Sequence, residues 1–144
     1  MDKYRVVAVA GAAALVVGAW RSFRRVEVSG GSMSPALLPG DRLVVVARPW
    51  SPPRWPRPGE VVAVRDPREP SRVLIKRVIA VDRPRGTIEV AGDAPDTSTD
   101  SRQFGPVPRA SVVGRAVYRY APVGRSGPGP WPGSTIGPDA KPQG

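Results

Sequence analysis

The sequence predicts a compact all-β domain preceded by one N-terminal hydrophobic helix. Three observations carry that expectation. From Val26 to Ala121 the chain is a series of short β-branched runs. Gly, Pro and Asp separate those runs. No 3.6-residue apolar stripe appears after residue 25, so nothing in this stretch reads as an amphipathic helix.

The helix comes first. Val6–Trp20 reads VVAVAGAAALVVGAW and carries no charge, with Lys3 and Arg5 before it and Arg21, Arg24 and Arg25 after it. Fifteen helical residues reach about 22 Å, short of a hydrocarbon core of roughly 30 Å. Tyr4, Trp20 and Phe23 suit the two interfaces, and the Arg stems can snorkel. Residues 1–25 are therefore expected to be a single-pass membrane anchor, which puts the protein at the cell membrane. Two other readings are open: a cleaved signal peptide ending near Val17-Gly18-Ala19, or a helix lying buried or on a surface. Basic residues on both sides leave the orientation open.

The strands follow in order: VEVS after the apolar run, RLVVVA (42–47), EVVAVR (60–65), RVLIKRVIAVD (72–82), TIEVAG (87–92) and SVVGRAVYRY (111–120). They define a β domain over 26–121, and about 95 residues are enough to bury a modest core. Residues 48–58, RPWSPPRWPRP, hold five prolines and two tryptophans, so they cannot pair as a central strand. Residues 122–144 are rich in Gly and Pro and are expected to be a disordered tail.

Composition prunes the chemistry. The chain has no Cys and no His. Disulfides, thiolate nucleophiles, the common zinc sites and a Ser-His-Asp triad are all excluded. A catalytic base must be Lys, Asp, Glu or a chain amine. The net charge is +10, but Arg is spread through every segment without a block, so we assign no nucleic-acid partner.

Three clusters bear chemistry. Gly30-Gly31-Ser32-Met33-Ser34-Pro35 leads into Leu38-Pro39-Gly40-Asp41. The two glycines permit positive φ and close approach to a substrate, and Ser32 can be presented on a turn with free N–H groups. Alone, the cluster is an ordinary Gly/Ser/Pro loop. In Val73–Ile79, strand alternation sends Lys76 to one face with Leu74 and Val78, and Arg77 to the other. A lysine between apolar neighbours is desolvated, which lowers its pKa and makes a neutral amine available as a base; the alternative is a snorkelling surface lysine. In 92–108, GDAPDTSTDSRQFGPVP, an extended backbone would put Ser98, Asp100 and Arg102 on one face, with Asp100 and Arg102 paired. The alternative is a solvated polar turn.

Taken in order, SGGSMSPALLPGD, IKRV and GDAPDTSTDSRQFGPVP resemble the conserved blocks of the signal peptidase I family of Ser/Lys proteases, over roughly residues 28–117. The resemblance implies a small antiparallel β domain of coiled sheets. It implies Ser32 as nucleophile, Lys76 as general base, Ser98 as the serine that orients the amine, and Asp100–Arg102 as a buried ion pair. It implies an oxyanion hole built on the Ser32 N–H, with the loop residues Gly30, Gly31 and Met33 around it. Some members add a serine hydroxyl two residues before the nucleophile; here that position is Gly30. The family's GDN element reads Gly92-Asp93-Ala94, so the Asn contact is absent. No metal or cofactor is implied.

The implied partner is a precursor protein that loses an N-terminal leader or pro-segment. VEVSGGSMSPALLPGDRLVVV and DSRQFGPVP also resemble a short branch of nickel-type superoxide dismutase maturation proteases. A general signal peptidase cutting after small residues is the second reading. Self-cleaving repressor domains share the dyad, but here an apolar run stands in place of a DNA-binding module. A non-catalytic β-barrel binding module would have no reason to bring Ser32 near Lys76.

Overall fold

A computed structural model of the chain describes residues 22–47 and 54–133. The expected helix, apart from its last four residues, and most of the Pro-rich 48–58 segment lie outside the described residues. Among the described residues eight strands form: β1 (Phe23–Glu27), β2 (Arg42–Ala47), β3 (Val61–Arg65), β4 (Val73–Asp82), β5 (Thr87–Ala91), β6 (Val107–Pro108), β7 (Val112–Ala121) and β8 (Gly127–Pro128). A four-residue helix, α1 (Ser101–Phe104), interrupts them. Among the described residues no helix is long and apolar enough to cross a membrane.

All pairings are antiparallel, in the order β1-β2-β7-β3-β4-β5-β6, with β8 on β7. The expected all-β, antiparallel, curled-sheet class is what forms. The β-branched runs suit this arrangement because their stiff side chains pack well on a pleated surface. Register shifts within β2–β7, β3–β7 and β4–β5 bend the sheet.

The bend produces two cores. Met33, Leu37, Leu43, Val45, Val61 and Trp131 belong to one. Val62, Val64, Leu74, Val78, Ile88 and Val90 belong to the other. Strand β3 serves both, since Val61 and Ala63 face one cluster while Val62 and Val64 face the other. That explains why VVAV is buried throughout rather than alternating.

Residues on both sides of the expected 26–121 stretch pair in the sheet. Phe23, Arg24 and Arg25 belong to β1, paired to Val46, Val45 and Val44, rather than to a helix. At the other end, part of the stretch expected to be a disordered tail is built onto the sheet, through β8 on β7 and buried Trp131; residues 134–144 lie outside the described residues. Trp131 is 5% exposed within the first core, and its carbonyl accepts from Arg77 Nη2 at 2.7 Å. Burial of one large aromatic side chain orders a segment that its Gly/Pro content alone would leave loose.

A buried carboxylate secures the far end. Asp41 is 1% exposed and accepts from Leu38 N, Arg119 Nη1 and Arg125 Nη2. Arg119 Nη1 also reaches the Ala36 carbonyl. The turn carrying Ser32 is thus tied to β7 from behind.

Candidate active site

The Ser32 turn is built from its core side outward. Met33 is 1% exposed and plugs the first core. Ser34 N donates to Gly31 O and Leu37 N to Met33 O, closing two successive turns. Ser32 sits half-buried above Met33, and its carbonyl accepts from Ala94 N at 2.9 Å. Among the described residues its own N–H and hydroxyl have no protein partner. Both are free for an incoming group.

Gly30 and Gly31 line the cleft, but without the positive φ that the sequence suggested. A Cβ at Gly30 would meet nothing within 4 Å. The glycine the site requires is Gly92. A Cβ there would lie 2.3 Å from Ser98 Oγ and 2.5 Å from Ser32 O. Gly92 lets the Ser32 turn and the Ser98 segment close on each other.

Lys76 lies on β4 opposite Val62, on the Leu74–Val78 face that alternation predicts. It is 3% exposed. Its Nζ donates to Ser98 Oγ at 2.9 Å. Ser98 Oγ donates in turn to Asp100 Oδ2 at 2.6 Å. Asp100 is fully buried and also accepts from Gly92 N at 2.8 Å.

The Asp100–Arg102 pair forms, but not through an extended strand. Asp100 is the N-cap of α1, and Gln103 completes a capping box. Oδ1 accepts from both the backbone N and Nε of Arg102, and Oδ2 accepts from Nη2. The pair is also not wholly buried: Asp100 is 0% exposed, whereas the Arg102 side chain is 36% exposed. The sequence TDSRQ is a helix start, and the local cap outweighs the extended reading.

This network fixes a proton polarity. Burial alone would raise the Asp100 carboxyl, but hydrogen bonds from Arg102, Ser98 and Gly92 hold it well below the usual carboxylate range. An ionised carboxylate only accepts, so Ser98 must donate to Asp100 and must then accept from Lys76. A neutral Lys76 amine therefore spends an N–H on Ser98 and keeps its lone pair for another partner. Burial pushes the Lys76 amine below its ordinary value. Asp100 pulls it back up, and Arg102, Arg68 and Arg72 push it further down.

Lys76 and Ser32 line one cleft of about 240 Å³. Residues 26–33 form one wall and residues 72–76 the other. In this conformation Lys76 is bonded to Ser98 and not to Ser32. A buried amine, an unpartnered hydroxyl and an unpartnered N–H on one cleft are the parts needed for histidine-free acyl transfer.

Several contributors escaped sequence reasoning. Asp93 holds Arg77 with two parallel bonds, Nε to Oδ1 at 2.8 Å and Nη2 to Oδ2 at 2.7 Å. The signal was available: an Arg directed at an apolar face needs a carboxylate. Arg68, Arg72, Thr97 and Thr99 also line the cleft. Nothing local in the sequence marks Arg68 and Arg72, because the β3–β4 turn reaches the cleft only through folding, whereas Thr97 and Thr99 flank the candidate Ser98 in sequence.

The chain also matches known proteins. Residues 3–84 and 82–121 fit the family model described as signal peptidase, peptidase S26. The mitochondrial ATP-independent inner membrane protease subunit 1b of Arabidopsis thaliana is 33% identical over 124 residues, covering 72% of this chain and 73% of that protein. Subunit 1a of the same plant is 37% identical over 119 residues, covering 67% and 69%. The mitochondrial inner membrane protease subunit 2 of Mus musculus is 34% identical over 118 residues, covering 69% and 67%. With its curled antiparallel sheet and its Ser32–Lys76 cleft, the chain belongs to the signal peptidase family, peptidase S26.

Proposed function

We propose that this protein is a serine endopeptidase in which Ser32 is the nucleophile and Lys76 the general base. One observation carries the reading: a 3%-exposed lysine that is bonded to a serine hydroxyl, has no carboxylate in direct contact among the described residues, and opens on the cleft that holds Ser32.

Neutral Lys76 takes the Ser32 proton as Oγ attacks a peptide carbonyl carbon. The Ser32 N–H donates to the resulting oxyanion. The Lys76 ammonium then gives its proton to the leaving amine, and the peptide C–N bond breaks. Lys76, neutral again, activates a water that hydrolyses the acyl-enzyme and frees Ser32. Ser98 holds the amine through both steps, and Asp100 with Arg102 holds Ser98. Metal and cofactor have no assigned role.

The substrate we propose is a precursor protein that loses an N-terminal leader or pro-segment at a membrane. Membership of the signal peptidase family, the inner membrane protease names of the relatives and the apolar run 6–20 support this. The sequence blocks shared with the nickel superoxide dismutase maturation proteases make that precursor the leading candidate. The apolar side chains on the cleft walls, among them Val26, Val28 and Leu74, favour a second reading as a general leader peptidase cutting after small residues.

The test incubates the purified protein with the dismutase precursor and with a small-residue leader substrate, and reads new N-termini by mass spectrometry. Cleavage of the precursor, abolished by Ser32→Ala, is expected. Cleavage of the leader alone establishes the second reading. Cleavage that survives Ser32→Ala overturns the mechanism.

A further inference from the structure

The cleft does not end at Ser32 and Lys76. The β3–β4 turn also contributes to its lining, through Arg68 and Arg72. Their surroundings differ. Arg68 gives Nε and Nη2 to Asp66, at 2.9 and 2.7 Å, and its guanidinium lies 5.6 Å from the centre of the Phe104 ring. Its Nη1 makes no bond among the described residues. Arg72 is anchored only through its backbone: its N–H donates to Glu69 O at 2.8 Å and its carbonyl accepts from Asp66 N at 2.9 Å. Its exposed side chain has no ion pair among the described residues.

We propose that the Arg68–Arg72 part of the cleft is a subsite for an acidic side chain of the substrate, so that the enzyme selects precursors carrying Glu or Asp near the cut. The proposal rests on the peptidase reading above and adds a charge preference to it.

The argument is one of charge balance along the lining. Glu27 is the carboxylate facing this cleft from the opposite wall. It lies 3.5 Å from Arg42, and both side chains are more than half exposed. Asp66, behind the turn, is already committed to Arg68. Glu69 is exposed and accepts from Ser71 Oγ. Two guanidinium groups thus line the cleft, and among the described residues Asp66 is the one carboxylate bonded to either, which leaves Arg68 Nη1 and the Arg72 side chain short of acceptors. A substrate carboxylate supplies the acceptors, and planar guanidinium groups match its geometry. A substrate lysine would meet two like charges instead. Arg68 is held by Asp66 and Phe104, so the ordering cost of one of the two donors is already met by the fold.

Two readouts on the full chain separate this inference from the peptidase reading. Short peptides spanning a leader cleavage site, with Glu, Gln or Lys scanned through the positions either side of the cut, are offered to the wild type, and kcat/KM is measured. The same peptides, fluorescently labelled, are titrated against the Ser32→Ala variant. At one position or a small group of positions, Glu should exceed Gln by about 5- to 10-fold in both readouts, with Lys below Gln. The Glu/Gln ratio should collapse toward unity in Arg72→Gln and shrink with added salt. In Arg72→Glu, Lys should become the better residue. Equal rates and equal binding for Glu, Gln and Lys at every position would overturn the subsite, even with all peptides cut. Tighter binding of Glu peptides to Ser32→Ala with no cleavage by the wild type would uphold the subsite and sink the peptidase reading. A Glu preference that survives Arg72→Gln and Arg68→Gln together would assign the selectivity elsewhere and overturn the proposal.

Discussion

Lys76 and Arg77 are neighbours on one strand and face opposite ways, and the fold treats them in opposite fashion. Arg77 is surrounded by acceptors: both Asp93 oxygens, Gly59 O and Trp131 O. Its charge is fully answered, and it ties the C-terminal segment to the sheet. Lys76 has one hydroxyl, and the nearest carboxylate is a further hydrogen bond away. The difference lies in what each side chain can become. A guanidinium keeps its proton under all ordinary conditions, so burying it demands partners. An amine can shed its proton, so withholding partners produces a base. Chemistry is available on the face where charge is left short of acceptors.

The largest test of that contrast exchanges the cations. Lys76→Arg and Lys76→Ala should each reduce cleavage by on the order of 10³-fold or more, as should Ser32→Ala. The double variant Ser32→Ala/Lys76→Ala should be no worse than either single one, because the two residues act as a unit. Circular dichroism should show the fold intact. Substantial activity in Lys76→Arg would mean that another group is the base.

Ser98→Ala comes next. It leaves Lys76 without its oriented partner, and kcat should fall by about 10²-fold while KM changes little. Ser98→Thr, which restores a hydroxyl, should recover part of the loss. A fall in stability with unchanged kcat would reduce Ser98 to a structural role. Wild-type kcat/KM should rise with pH through the Lys76 pKa, and that limb should lie below the ordinary lysine value of about 10.4. A limb at the ordinary value would show that burial does not tune the amine.

The Arg77 face should answer in stability instead of rate. Its side chain is 13% exposed and that of Asp93 is 4% exposed. Asp93→Ala strands the guanidinium and should cost about 3–5 kcal/mol by denaturant unfolding. An unchanged midpoint would indicate that Arg77 finds other partners.

The smallest effect is the most diagnostic. Lys76→Met removes a buried amine and should stabilise the protein by about 1 kcal/mol near neutral pH. The sign follows from linkage. The folded pKa of Lys76 is lowered, so between that value and about 10.4 the unfolded chain binds more protons than the native one. Wild-type stability therefore rises with pH across that window. The advantage of Lys76→Met should shrink as pH climbs, and an advantage that grows would mean the lysine is held as ammonium.

Much of this was legible in the chain. The β-branched runs and their punctuation defined the strands because pleated, half-buried surfaces select those residues. Lys76 facing Leu74 and Val78 was readable because strand alternation is purely local. Local pattern singled out Ser32, Lys76 and Ser98 as candidates, but their roles as nucleophile, base and orienting serine came from the block resemblance. What folding alone decided lies between segments. The Ser98–Asp100–Arg102 relation is an exception, since it is local: a helix cap there outcompetes the extended backbone. Trp131 ordered a Gly/Pro-rich stretch because a large aromatic side chain found room in a core assembled from β2, β3 and β7. The need for glycine at Gly92 was not readable because close approach depends on which two segments meet. Asp93 reached Arg77, and Arg68 and Arg72 reached the cleft, by the curvature of the sheet. Patterns of period two determine which way a side chain faces; only the tertiary structure determines what stands opposite it.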